Sequence, residues 1–387
     1  MTTLAVRQLH PVAVASAGIG VVGVTFGMAR YGVGLLAPDI RAGFGLSSGS
    51  LGLLATASYA AYLATSVTAG ALSARLGPRA IVGAGGACAV VGMTLAGLAE
   101  SPPVLFAALL VAGASAGLVF PPFSDVVAGR LPSGVRGRVL SAVSSGTGLG
   151  VAVAAPVAMV AGADWRAAWF LFALIAALAT GWALIVLPGR QAPADSPGVL
   201  LPSWRWFVCP RSGPLLGGAL LVGLSSSVVW TFGVDHLVTE GGLSPEQSRI
   251  FLGVVGLATL GGGLGGDAVR RLGGRATFAA AVAAEAAALL GLGLAPTHLS
   301  AAFVSAVLFG ASYGLAVAVE VIWSGQVFRE RPSAGLAGVM VGNAIGLLVG
   351  PPVFGLVADV TGFAAVFATG AVLLLAASAL APRERLE

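Results

Sequence analysis

Lysine is absent from this chain of 387 residues, and aspartate and glutamate together number only 15. Charged residues make up 9% of the sequence, against about one quarter in a soluble globular protein. So few charges cannot cover the surface of a soluble protein of this length, which excludes a fully water-exposed outer wall. Cysteine is nearly missing as well. Cys88 falls in an apolar stretch and Cys209 in a loop, so no disulfide framework is expected. Histidine occurs at His10, His236 and His298 alone, in no H-E-x-x-H pattern, and there is no G-x-S-x-G elbow or P-loop. These gaps speak against a metallopeptidase, a serine hydrolase and a nucleotide-driven pump. The reading is of a non-enzyme with no resident metal or cofactor.

What is abundant is apolar: 57% of residues, with 58 glycines and a mean hydropathy of +0.97. Strand-length alternation is lacking, and about a dozen stretches are long enough to cross a hydrocarbon core of about 30 Å. Lipid cannot satisfy backbone polar groups, so each such stretch is expected to be a helix. The predicted spans are 12–36, 49–73, 80–99, 103–124, 139–161, 167–187, 214–235, 248–268, 276–295, 299–325, 336–357 and 363–381. The first apolar run, 11–37, is too long for a signal-peptide core and is read as a retained span. The longest non-membrane stretch is 188–213, rich in Pro, Ser and Arg. It divides the chain into a six-helix half at 1–187 and a second at 214–387.

Arginine sets the expected orientation. With the N-terminus inside, 16 of the 20 arginines fall in inner segments. Outer segments hold Arg41, Arg166 and Arg249, and Arg30 lies within the first span. This positive-inside bias places both termini in the cytoplasm of an inner-membrane protein. The net charge of +5 faces anionic headgroups, and no nucleic-acid partner is implied.

The two halves repeat one another. Gly45-Leu46-Ser47 and Gly242-Leu243-Ser244 follow spans one and seven, and Leu76-Gly77-Pro78-Arg79 matches Leu272-Gly273-Gly274-Arg275. Gly113-Ala114-Ser115 with Gly117-Leu118 recurs as Gly310-Ala311-Ser312 with Gly314-Leu315. Leu140, Gly146, Gly150 and Pro156 recur as Leu336, Gly342, Gly346 and Pro352. Within the first spans, Thr25-Phe26-Gly27 followed by Arg30 resembles Thr231-Phe232-Gly233 followed by His236, which aligns Arg30 with His236. Parallel repeats of this kind place a solute path between the halves, near the midplane.

The segment Gly70-Ala71-Leu72-Ser73-Ala74-Arg75-Leu76-Gly77-Pro78-Arg79 resembles the cytoplasmic loop motif of the major facilitator superfamily, G-x-L-x-D-R-x-G-R-R/K. The resemblance implies an all-α membrane fold of twelve helices in two pseudo-symmetric bundles, with Gly70, Arg75, Gly77 and Arg79 serving the inner gate. Ala74 stands where the family carries Asp. Gly346-x-x-x-Gly350-Pro351 is similar to a glycine–proline pattern of the family's antiporters, with helix packing the plainer reading. The family's span-four arginine would fall near Leu109 and is absent.

Polar groups within spans are the functional candidates, because a charge at the bilayer centre costs at least ~2.5 kcal/mol. Arg30, with Phe26 and Tyr31 nearby, reads as an anion contact or a gate charge. Trp230, Asp235, Asn343 and Trp323 complete the solute or gate set, and an Arg30–Asp235 pair is expected across the outer gate. Glu320 is read as a lone carboxylate suited to a proton, with Asp125 and Glu285 as further candidates. Glu285 is expected in a structural pair, Asp125 in contact with Arg130 or the inner gate, and His236 at a wetted loop end. The expectation is a monomeric proton-linked exporter of a small organic solute, with the proton gradient as energy source. An uptake permease for a small organic anion or neutral metabolite, or a non-transporting receptor, are the alternatives.

Overall fold

A computed structural model describes residues 9–189, 209 and 211–382, apart from the side chains at 70, 71, 74, 332 and 333. Arg7, Arg190, Arg205, Arg383, Arg385 and most of the 188–213 loop therefore lie outside the described residues, as do the surroundings of Gly70. Every regular element among the described residues is helical. Eleven helices are long and apolar enough to cross a membrane. They are Pro11–Leu35, Ser48–Ala69, Pro78–Gly97, Pro102–Arg130, Ser133–Val160, Trp165–Val186, Ser212–Thr239, Pro245–Leu272, Gly274–Leu294, Leu299–Val327 and Ala334–Thr361, called spans one to eleven. The twelfth apolar helix, Phe363–Ser378, has 16 residues, about 24 Å of rise. It is shorter than the 363–381 read from sequence. Ala37–Phe44 is a short extra helix after span one.

Local chemistry explains the boundaries. Pro11, Pro78, Pro102 and Pro245 open their helices, where the missing N–H is no loss. Ser244 and Gln247 close a reciprocal capping box at span eight. Gly77 and Gly273 turn the chain with φ of 88° and 82°, a region L side chains enter at a cost. Outer walls carry bare aliphatic side chains such as Val160, Ile185, Leu294 and Val360. That suits a protein whose solvent is lipid.

The chain separates into two compact units. One holds the described residues of Met1–Arg30, Ala60–Gly150 and Arg166–Leu201; the other those of Tyr31–Tyr59, Val151–Trp165 and Pro202–Glu387. The first unit centres on Val14, Val21, Phe123, Val127 and Val143. The second centres on Trp230, Phe232, Phe251, Phe278, Phe309 and Phe367. The units do not follow the sequence halves, because the end of span one, the start of span two and the end of span five pack with the second half.

Glycine contacts show the repeat as geometry within each unit. A Cβ on Gly117 would stand 2.7 Å from the Tyr62 carbonyl oxygen, and one on Gly314 2.4 Å from that of Thr259. The two glycines are 197 residues apart, and so are the two carbonyls. A Cβ on Gly150 would stand 2.1 Å from the Gly23 carbonyl oxygen, and one on Gly346 2.4 Å from that of Leu220. Gly23 and Leu220 are also 197 apart. This corrects the register of spans one and seven: the counterpart of Arg30 is Ser227, not His236. The glycines of spans five and eleven serve close packing against spans one and seven. The antiporter-like pattern is thus occupied by helix packing.

Candidate functional site

In the first unit, span one relaxes into a π-helical segment at Gly23–Met28, a feature that often marks functional sites. Thr25 donates its hydroxyl to the Val21 carbonyl at 2.8 Å, satisfying an oxygen that the wider turn loosens. Arg30 follows directly. Its guanidinium lies 4.4 Å from the ring centre of Tyr62 and 5.7 Å from that of Phe26. Phe26 and Tyr62 meet edge to face at 5.6 Å. A buried cation over two rings gains roughly 0.5–2 kcal/mol. Asp125 accepts from the Ser73 hydroxyl at 3.4 Å, so of its two expected partners, Arg130 and the inner-gate loop, it meets the loop. Arg75 and Arg79 are exposed, whereas Gly77 is buried at the turn.

In the second unit, aromatic side chains gather around Trp230. Tyr31 stacks on it at 4.3 Å and 28°, while Phe309 and Tyr313 meet it edge to face at 5.9 and 5.8 Å. Tyr59 approaches Tyr31 at 6.5 Å. The backbones below are in contact: a Cβ on Gly34 would be 1.9 Å from the Trp230 carbonyl oxygen, and one on Gly52 2.1 Å from that of Pro351. Spans one and seven, and spans two and eleven, are therefore in backbone contact at these glycines.

Ion pairs lock the same end. Asp235, with no exposed side-chain surface, is bonded to Arg41, so the expected Arg30–Asp235 pair is replaced by an Arg41–Asp235 pair. Arg41 sits on the Ala37–Phe44 helix inside this unit. Arg249 donates to Asp39 at 2.9 Å and to the Ala158 and Gly162 carbonyls at 3.0 and 2.9 Å. Asp359 accepts from the backbone N–H groups of Ser48 and Gly49 at 2.8 and 2.9 Å, capping the first turn of span two from span eleven. His236 is fully buried, contrary to the loop-end expectation, because span seven continues to Thr239. Its Nε2 lies 3.0 Å from the Leu292 carbonyl and its Nδ1 3.4 Å from Glu240.

Deeper in this unit sit two carboxyls. Glu285 accepts from the Ser226 hydroxyl at 2.6 Å, so its partner is a hydroxyl and not a cation. Glu320 is fully buried, and neither of its oxygens has a hydrogen-bond partner among the described residues. It is not alone, since Glu285 lies within electrostatic reach. Trp323, one turn on, meets Phe278 edge to face at 6.2 Å. Asn343 is buried, with its Nδ2 unpartnered among the described residues, and a Cβ on Gly223 would stand 2.2 Å from its backbone carbonyl oxygen. Sequence reasoning misses Asp39, Asp359 and the roles of Arg41 and Arg249. The one available signal is that Arg41, Arg166 and Arg249 are exceptions to the arginine bias. All three are pinned, Arg166 donating to the Ala99 carbonyl at 2.9 Å.

Comparison with known proteins agrees with this architecture. The profile of the Major Facilitator Superfamily matches residues 19–211. The chain is similar to the probable sulfoacetate transporter SauU of Cupriavidus necator, 26% identical over 366 residues, covering 86% of this chain and 84% of that one. Its fold is similar to a mutant form of the nucleoside transporter NupG, with a TM-score of 0.79 at 13% identity over 95% of this chain and 99% of the other. It is also similar to a bacterial homologue of the human lysosomal transporter Spinster in an inward-facing and occupied conformation. That match has a TM-score of 0.72 at 19% identity, covering 95% of both chains.

Proposed function

We propose that the chain is a transporter of the Major Facilitator Superfamily type that exports a small organic solute by alternating access, driven by protons taken up at Glu320, a reading supported by the profile match over residues 19–211 and by the similarity to known transporters. The observation that carries this reading is the placement of Glu320: fully buried, both oxygens without a hydrogen-bond partner among the described residues, and a second carboxyl close by. Charge at such depth is costly. A carboxyl that exchanges its proton only when water reaches it couples that proton to the conformational change.

Alternating access needs an end that shuts and reopens. The Gly34–Trp230 and Gly52–Pro351 contacts, with the two ion pairs, supply the shut form. Export suits an interior with so few charges, which favours a solute with apolar surface. Arg30, a cation held on two rings, favours an anionic group on the solute. The name of the C. necator relative, a probable sulfoacetate transporter, points the same way.

The test is flux in proteoliposomes under an imposed pH gradient, across a panel of organic acids and neutral compounds. Glu320→Gln is expected to abolish gradient-driven accumulation while solute counterflow continues. Unchanged pH-driven transport in that variant would remove Glu320 from the coupling step.

A further inference from the structure

A cavity on the arginine-rich side of the first unit includes Arg79 of the loop motif but none of the groups proposed above to carry solute or proton. It measures about 490 Å³ and joins Leu9, His10 and Ala13 before and within span one to Arg79, Arg130 and the end of span six at Ile185–Gly189. A neighbouring cavity of about 380 Å³ shares Arg79 and Gly189. Among the described residues, Arg79 and Arg130 make no hydrogen bond or ion pair and no acidic side chain lines either cavity. Arg79 also stands in the first turn of the 20-residue helix Pro78–Gly97, where free N–H groups and the helix dipole favour an anion.

The rest of the lining is apolar, and it runs out onto a bare lateral wall. Val12, Leu178, Trp182 and Ile185 are 68%, 67%, 44% and 74% exposed on spans one and six. Trp182 donates to the Ser16 hydroxyl at 3.1 Å, joining the two spans below the cavity. Cationic groups lining the cavity and exposed apolar side chains on spans one and six match a phosphate-bearing amphiphile. An indole at that level matches the headgroup boundary.

We propose that Arg79 and Arg130, with His10, bind a phosphate group, carried on an anionic phospholipid of the adjoining leaflet or free in solution. The site lies in the first unit and Glu320 in the second.

The test is native mass spectrometry of the full chain titrated with phosphatidylglycerol or phosphatidylcholine, and melting of the chain in phosphatidylcholine nanodiscs with and without inorganic phosphate. Arg79→Gln and Arg130→Gln are compared with Arg275→Gln, an exposed arginine outside the cavities. If the source is lipid, phosphatidylglycerol affinity falls about fivefold per cavity arginine removed, with no such loss for Arg275→Gln. If the source is free phosphate, inorganic phosphate raises the melting temperature in phosphatidylcholine, and the double variant loses that rise. Should all three single variants lose phosphatidylglycerol equally, and phosphate shift none of them differently, the proposal is overturned. Equal melting of the variants in phosphatidylcholine alone checks that the fold is intact.

Discussion

Arg249 and Asp39, 210 residues apart in the chain, are bonded across 2.9 Å with the arginine 2% exposed. The same guanidinium reaches two carbonyls at the end of span five. A buried cation is tolerable only when its donors are used, and here a planar fork serves three acceptors at once. Lysine has the charge but not the fork. Arg249→Lys is therefore expected to behave closer to Arg249→Ala than to the native chain, with a loss of about 3–5 kcal/mol for the alanine. Spin labels at Ala42→Cys and Glu246→Cys, both exposed, read the result as a broadened distance distribution. An unchanged distribution in both variants would mean that Arg249 does not hold this end shut.

Glycine substitutions separate backbone contact from helix propensity. Alanine in a helix interior gains up to about 1 kcal/mol over glycine, and overpacking costs about 1–3 kcal/mol. At Gly129 nothing lies within 4 Å of the added Cβ, so Gly129→Ala should be neutral or slightly stabilising. At Gly34 and Gly52 the obstacle is a carbonyl oxygen at 1.9 and 2.1 Å, which no rotamer change can clear. Those two alanines are expected to lower the melting temperature in detergent and to expose the Tyr31–Trp230 stack to quenchers. Melting of Gly34→Ala at or above the native value would contradict the packing of spans one and seven.

Glu285 and Glu320 differ in what neutralisation should do. Glu285→Gln keeps an acceptor for the Ser226 hydroxyl, whereas Ser226→Ala strips the carboxyl of its bond at a cost of about 1–3 kcal/mol. The expected order of melting is Glu285→Gln at or above the native chain, with Ser226→Ala below it. Gradient-driven flux should survive Glu285→Gln if Glu320 is the coupling group. Loss of coupling in Glu285→Gln with retention in Glu320→Gln would exchange the two roles.

Much of the fold is legible in the sequence because its signals are local. Apolar runs mark the spans, and Gly45, Gly77, Gly242 and Gly273 mark turns that need positive φ. The repeat is legible in spans two, four and five for the same reason, since glycine pairs report backbone contact. The register of spans one and seven misleads: three matching residues, Thr-Phe-Gly, arise cheaply in an apolar stretch. The loop pair Gly45-Leu46-Ser47 and Gly242-Leu243-Ser244 already carries the 197-residue spacing that the contacts obey. Asp39–Arg249 and Arg41–Asp235 are not legible, because nothing local foretells partners 210 and 194 residues distant. The burial of His236 depends on a single extra turn of span seven, which hydropathy does not resolve.

Asp235 offers the sharpest test of which arginine guards the shut end. Its side chain has no exposed surface, and its Oδ1 has no hydrogen-bond partner among the described residues, so Arg41 supplies its one ion-pair partner there. Removing Arg41 alone leaves a buried carboxylate uncompensated, at about 3–5 kcal/mol. Asp235→Asn removes the charge as well as the pair and should cost less. The double variant Arg41→Ala with Asp235→Asn should then be more stable than Arg41→Ala by itself, a coupling of about 0.5–3 kcal/mol in a double-mutant cycle. Arg30 makes the control, because its guanidinium rests on Tyr62 and Phe26. The cycle of Arg30→Ala with Asp235→Asn should be additive within about 0.5 kcal/mol. Chemical denaturation of the purified chain in one detergent measures both cycles. Strong coupling in the Arg30 cycle and additivity in the Arg41 cycle would reverse the pairing seen here and restore Arg30 as the gate charge.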